Sequence, residues 1–258
     1  MLKTVIVTGA NGGMGSVAVR QLAAAGWNVI PTTRTGSRYR LDLCSKESID
    51  AFVAQLQAEG VTVDALFNNA GVLAHGYEAN DEGYESTVCT NLIGPARLIN
   101  GLLPLMAPEA QIVNMVSLAC YTGKIKDDYF CHRDKRFHQI WRYSDSKLGF
   151  MLYSLELQDH LAEMGYPGIR VDVADPGIVN TNMIRLGKWF DPLTDIIFRP
   201  ICNSPLKGVT PALNALTDPE LVEGPVRYFV GKNFKPVPSR YIDHPRRGWL
   251  WDELMKRI

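Results

Sequence analysis

The sequence has no surplus of either charge: 27 Lys and Arg stand against 27 Asp and Glu. Without an overall field there is nothing to draw the chain onto nucleic acid or anionic lipid, so neither partner is expected. No uninterrupted apolar run is long enough to cross a bilayer. Cysteine is scarce, with five in 258 residues, an odd number, widely spaced and without a C-x-x-C pair. That pattern suits reduced thiols in a cytosol better than a disulfide framework. Only Cys131, His132 and His138 hint at a metal cluster, and their spacing fits no zinc pattern, so no metal is expected. At the N-terminus the strand-like Thr4-Val5-Ile6-Val7-Thr8 runs straight into glycines, where a signal peptide would need an apolar stretch and a small-residue cleavage site. A soluble, cytoplasmic protein is the expectation.

What the chain does have is an ordinary globular composition, 46% hydrophobic and 21% charged. At this length one domain over residues 1–258 is expected, with a substrate loop at about 181–208 and a C-terminal tail at about 232–258. Buried-strand segments alternate with segments of helical period, the pattern of a parallel sheet covered on both faces. Strands are read at Thr4 to Thr8, Asn28 to Thr33, Arg40 to Leu43, Val63 to Phe67, Ile112 to Val116, Ile169 to Ala174 and Val226 to Val230. Helices are read from about Ser16 to Ala25, from Ser45 to Gly60, from Tyr84 to Met106 with a bend at Gly94-Pro95, and from Ser144 to Met164. Gly123 to Arg142 is charged and aromatic without a period, an inserted loop. The fold class is a doubly wound α/β sheet, Rossmann-like, of about seven strands.

Thr8-Gly9-Ala10-Asn11-Gly12-Gly13-Met14-Gly15 lies between the first strand and its helix, where bare backbone and helix dipole together form an anion site. Later loops on the same edge carry Asn68-Asn69-Ala70-Gly71, Ser117, Tyr143-x-x-x-Lys147, and Pro176-Gly177 with Thr181. These motifs, in this order from about Thr4 to Thr181, resemble the short-chain dehydrogenase/reductase superfamily. The resemblance implies that Gly9, Gly13 and Gly15 line a pyrophosphate, that Asn69 and Gly71 support the adenosine half, and that Asp42 faces the adenine. It extends dinucleotide contact to Asn11, Met14, Leu43, Ala70, Pro176, Gly177, Val179 and Thr181.

A carboxylate at the end of strand two would bind a ribose 2′-hydroxyl and repel a 2′-phosphate. The sequence there is Pro31-Thr32-Thr33-Arg34, with Arg38 close behind, and guanidinium groups pair bidentately with phosphate. NADP(H) is therefore expected over NAD(H), although Gly12 stands in the glycine turn where many NADP(H)-preferring members carry a basic residue.

The cofactor transfers hydride, so the protein must orient a carbonyl and handle one proton. Tyr143 suits that role once its ordinary pKa near 10 is lowered, which Lys147, four residues on and on the same helix face, and the positive charge of the oxidised nicotinamide should both do. By resemblance Lys147 also holds the nicotinamide ribose. Ser117 would hydrogen-bond the substrate oxygen, and Asn91 takes the family's place for an asparagine that orders a water in the proton relay. The 26 positions between Ser117 and Tyr143 exceed the superfamily's common arrangement. With Asn-Asn-Ala-Gly-Val and the Val116 to Ala119 segment they look most like the retinol-dehydrogenase-like branch, which implies a hydrophobic carbonyl or alcohol. The loop containing Met183, Ile184, Leu186, Trp189, Phe190, Ile196, Ile197 and Phe198 would wall its pocket. Homodimers or homotetramers are common in the superfamily. The competing readings are a non-catalytic dinucleotide-binding redox sensor and a nucleotide-sugar epimerase or dehydratase. The intact Ser117, Tyr143 and Lys147 count against the first, and too little chain after strand six counts against the second.

Overall fold

Thr4-Val5-Ile6-Val7 is a β-branched run with every residue buried, the signature of a central strand covered on both faces. The computed structural model describes residues 2–36, 38–131, 137–179, 203–218 and 225–258. Its strands are β1 Thr4–Val7, β2 Asn28–Pro31, β3 Val63–Asn68, β4 Met106–Met115, β5 Arg170–Asp175, β6 Arg227–Val230 and β7 Asn233–Pro236. They form one seven-stranded sheet in the order β2-β1-β3-β4-β5-β6-β7, parallel except for the β6–β7 pair.

The helices are α1 Gly13–Ala24, α2 Lys46–Ala58, α3 Ser86–Val88, α4 Gly94–Leu102, α5 Gln139–His160, α6 Pro205–Thr217, α7 Ser239–Ile242 and α8 Arg247–Met255. Alternation along the strands sends Val5, Val7, Ala65 and Phe67 to the face covered by Ala18 and Leu22 of α1 and by Val209 and Ala212 of α6. Ile6, Leu66, Ile112 and Val171 face the other way, onto Phe52 and Leu56 of α2, Leu98 and Ile99 of α4, and Leu148 and Leu152 of α5.

Four segments depart from the sequence reading, the first being α5, which begins at Gln139, inside the expected Gly123 to Arg142 loop. Arg40 to Leu43 is not a strand: a single parallel bridge joins Thr33 to Arg40. The chain between them turns tightly through Gly36, at φ +70°, and is too short for the crossover that a parallel pair needs. The seventh strand lies instead in the expected tail. β7 folds back on β6 through the two residues Gly231, at φ +65°, and Lys232. The Tyr84 to Met106 helix is broken into α3, a π-helical turn Cys89–Ile93, α4 and a 3-10 turn Leu103–Leu105. Pro95 cannot offer Asn91 the N–H that an α-helical ladder takes four residues on, and the ladder widens there. Among the described residues no helix is long and apolar enough to cross a membrane.

The sheet order reverses between β1 and β3, because the chain goes outward to β2 and then crosses back. The loops after β1 and β3 therefore part around a crevice at the carboxyl ends of the strands.

Candidate active site

Gly9 sits at φ +66°, and a side chain on Gly15 would place its Cβ 2.2 Å from the Gly9 carbonyl, so the turn closes only on bare backbone. The Thr8 hydroxyl accepts from the backbone N–H groups of Asn69 and Ala70, each at 3.0 Å. Asn69 Nδ2 donates back to the Thr8 carbonyl at 2.8 Å. These bonds tie the two loops of the crevice together, a part for Thr8 that its place at the head of the glycine motif does not specify. The N-cap of α1, Gly12, has no side chain to cap it and its first turn has no acidic residue, which leaves its N–H groups and dipole to an external anion. Gly9, Asn11, Gly13, Met14, Gly15, Asn69, Ala70 and Gly71 all line this cleft.

At its far end the wall is made by Thr32, Thr33, Arg34, Arg40, Leu41, Asp42, Leu43 and Thr90. Here the expected second arginine is corrected. Arg38 pairs with Glu59 at 3.1 Å and lies against the Tyr39 ring, and Arg40 takes the cleft position, its Nε donating to the Arg34 carbonyl at 3.1 Å. The tight turn at Gly36 decides which of the two faces inward, a choice that spacing alone does not make. Asp42 Oδ1 accepts the Cys44 N–H at 2.9 Å, an Asx turn that fixes the carboxylate at the cleft edge.

The cleft lining stops at Val72 and Thr90, and past the Gly71 end stand Ser117, Tyr143 and Lys147. Ser117 follows β4 in extended conformation and opens the 3-10 turn Leu118–Tyr121, its hydroxyl accepting from Ala119 N–H at 3.2 Å. Tyr143 stands on the second turn of α5, close enough for the Ser117 hydroxyl to act on its phenol. Lys147, buried one turn on, donates from Nζ to the Met115 carbonyl at 2.8 Å and lies 5.9 Å from the centre of the Tyr143 ring. A Cβ on Gly71 would come within 3.4 Å of both Lys147 Nζ and Asn91 Oδ1.

The electrostatics differ from the expectation. Burial pushes the Tyr143 hydroxyl up to about 12, outweighing the Ser117 hydrogen bond that lowers it. Burial likewise brings the Lys147 ammonium down to about 8, against the opposing pull of Cys120 and Asp175. With the protein's own groups alone, desolvation outweighs any lowering of Tyr143 by its lysine neighbour.

Asn91 is also more constrained than a water-ordering group. Its Oδ1 accepts Val72 N–H at 2.8 Å, while its Nδ2 donates to the Val72 carbonyl at 2.9 Å and to Ser146 Oγ at 3.0 Å. The side chain is thus occupied in holding the loop after β3. Asp175 does similar work after β5: Oδ1 accepts Gly177 N–H at 2.8 Å and Oδ2 accepts the Tyr228 hydroxyl at 2.7 Å. Asn203 donates to the Pro176 carbonyl at 3.1 Å and bridges to Val179, which with Met14 packs on Gly208. Thr181 and the apolar residues 183–198 lie outside the described residues.

Behind Tyr143 lies a buried ion pair absent from the sequence reading. Arg142 Nε meets Glu85 Oε2 at 2.9 Å with almost no exposure on either side. Glu85 also caps α3 through Thr87 and Val88 N–H, and Arg142 donates to the Tyr129 carbonyl at 2.8 Å. The charged insert is therefore docked against the helix that carries Tyr143.

The comparisons with known proteins agree with this geometry. A family model described as short chain dehydrogenase matches residues 3–188. Retinol dehydrogenase 13 of Homo sapiens is 31% identical over 283 residues, covering 99% of this chain and 84% of the relative. A solved structure from Mycobacterium paratuberculosis, of a protein described as uncharacterized, superposes with a TM-score of 0.77 at 27% identity, covering 99% of this chain and 92% of the other. The 3-alpha-hydroxysteroid dehydrogenase of Pseudomonas sp. B-0831, solved with NADH, shares the fold at a TM-score of 0.68 and 20% identity, covering 94% and 98%. The chain belongs to the short-chain dehydrogenase family, nicotinamide-dependent oxidoreductases of alcohol and carbonyl groups, and within it is similar to the retinol-dehydrogenase-like branch.

Proposed function

We propose that the protein reduces the carbonyl group of a hydrophobic small molecule with NADP(H), accepting NAD(H) less well, and that Tyr143 is its acid and base. The observation that carries this reading is the convergence of Ser117, Tyr143 and Lys147 beside Gly71, at the open end of a cleft whose other wall is an uncapped helix N-terminus.

The site fits a dinucleotide on the chain's own features. The cradle of Gly9 and Gly15 has no room for side chains, the first-turn N–H groups of α1 suit a pyrophosphate, and Arg34 and Arg40 offer two guanidinium groups to a 2′-phosphate. Asp42 sits at the adenine end, and Pro176 to Val179 with Thr181 would close the other end. When bound, the nicotinamide supplies the hydride. Tyr143 donates its proton to the substrate oxygen and Ser117 hydrogen-bonds that oxygen as charge develops on it. A phenol raised to about 12 holds its proton at neutral pH, which suits the reducing direction. Lys147 stands near enough to favour the phenolate once the proton has left. Asn91 acts through the Val72 loop, holding that wall of the cleft in place.

A hydrophobic substrate is supported by exposed apolar side chains next to the site residues, Leu118 after Ser117 and Ile178 after Gly177. Residues 1–258 acting as one unit, a cytoplasmic location and a homodimer or homotetramer belong to the same reading by analogy with the family. The test is an absorbance-monitored screen of NADPH consumption over aliphatic, aromatic, isoprenoid and steroid carbonyls, repeated with NADH. Turnover with an apolar carbonyl, abolished in Tyr143→Phe while NADPH still binds, is the expected result; no oxidation of either cofactor by any of them overturns it.

A further inference from the structure

Cys44 and Cys89 are distant in sequence yet meet at the adenosine end of the cleft. Cys44 stands one residue before Ser45, the N-cap of α2, and Cys89 opens the π-helical turn. Gly94 brings them together: a Cβ there would lie 2.0 Å from the Leu43 carbonyl, so only glycine lets the Leu43–Cys44 backbone come this close. Cys89 Sγ donates to the Cys44 carbonyl at 3.8 Å. Asn80 Nδ2 reaches the same carbonyl at 3.1 Å and Cys89 Sγ at 3.3 Å, holding the pair from one side.

The Cys89 thiol thus lies against the Cys44 backbone, with Asn80 touching both residues. The neighbouring Cys89 thiol brings Cys44 below the ordinary thiol range, against burial and the charges of Asp42 and Glu85. The neighbouring Cys44 thiol and burial push Cys89 up, with Arg97 opposing and Glu82 adding to the rise. Cys44 is half-buried and open to a small reagent, whereas Cys89 is fully buried behind it. A more acidic, accessible thiol backed by a buried one is the arrangement of an attacking and a resolving cysteine.

We propose that Cys44 and Cys89 are a thiol–disulfide exchange site at which a low-molecular-weight disulfide oxidises the pair to an intramolecular disulfide, weakening dinucleotide binding in the adjoining cleft. The second half rests on the dinucleotide reading of that cleft. Cys44 thiolate attacks one sulfur of RSSR, the S–S bond breaks, and RS⁻ leaves to take up a proton. The mixed disulfide removes the negative charge that held the Cys89 proton. Cys89 then gives up that proton and attacks the Cys44 sulfur, displacing the second RS⁻, which is protonated in turn. Two protein thiols are oxidised and one disulfide is reduced to two thiols. Drawing the two sulfurs to bonding distance shifts Leu43 and Thr90, both of which line the cleft, and Asn91, which holds Val72.

The test treats the reduced protein with glutathione disulfide and reads intact mass, a peptide map and NADPH affinity. The expected result is loss of two hydrogens, a Cys44–Cys89 linked peptide, reversal by dithiothreitol, and an NADPH Kd raised on the order of 5-fold or more. Cys131→Ser should leave all of this intact, and Cys89→Ser should stop at a glutathione adduct on Cys44. An adduct confined to the exposed Cys131, or a cross-link through Cys120, overturns the site. Equal NADPH affinities of the two forms overturn the coupling. If the reduced protein binds neither NADPH nor NADH, it is the cleft reading that falls, and the mapped disulfide keeps its own readout.

Discussion

Lys147 shows how much the site costs in solvation. Buried and brought down to about 8, it is held protonated by one carbonyl and, among the described residues, by no carboxylate in direct contact. Its pKa is lower folded than unfolded, so between about pH 8 and pH 10.4 the unfolded chain binds more protons and stability rises with pH, by roughly 3 kcal/mol over the window. Below pH 8 the penalty is fully present. Lys147→Met should remove this slope, which denaturant unfolding of both proteins from pH 7.5 to 10 would reveal; parallel curves would place the lysine's pKa elsewhere. Tyr143 titrates with the opposite sign, its raised pKa favouring the folded state until the unfolded phenol ionises near 10, and that contribution is lost as pH climbs towards about 12. At the other end of the cleft, Arg34→Ala and Arg40→Ala should each raise the Kd for NADPH roughly 10-fold, about 1.4 kcal/mol for one charge-assisted contact, and leave that for NADH almost unchanged. Equal losses for both cofactors would assign the arginines to the shared pyrophosphate instead.

Among the elements, α5 bears the most constraints. It presents Tyr143 and Lys147 towards the cleft, buries Leu148 and Leu152 against the sheet, and anchors the insert through Arg142. Glu85→Ala would leave Arg142 buried without its partner and α3 without its cap, a loss of about 3–5 kcal/mol that urea unfolding would measure. The turn before α1 is equally intolerant. Gly15→Ala forces a Cβ against the Gly9 carbonyl, so dinucleotide binding should be lost with at most partial loss of far-UV circular dichroism. A Gly15→Ala protein that binds NADPH normally would show that the turn can open.

For the whole molecule, the C-terminal segment is part of the core. Leu250 and Leu254 are fully buried, and Trp251 stacks on Tyr153 at 5.8 Å between ring centres and on His160 at 4.5 Å. Arg247 of α8 meets Glu156 of α5 at 2.8 Å. α8 thus seals the outer side of the helix that carries Tyr143. Trp251→Ala should cost about 3–5 kcal/mol and lower Tm by roughly 10 °C, read by calorimetry.

The local order of residues was enough for the alternating architecture, the glycine turn, and the identities of Ser117, Tyr143 and Lys147, because strand burial, helix period and short motifs are properties of neighbours in the chain. Contacts between distant segments were not legible in that way. Whether Arg38 or Arg40 faced the cleft, that Asn91 was occupied by Val72, that Glu85 met Arg142, that Asn203 held the Pro176 loop and that Cys44 met Cys89 depended on which surfaces packing brought together. The same holds for the pKa of Tyr143: the sequence offered a lysine to lower it, and burial, which exists only in the folded molecule, raised it instead.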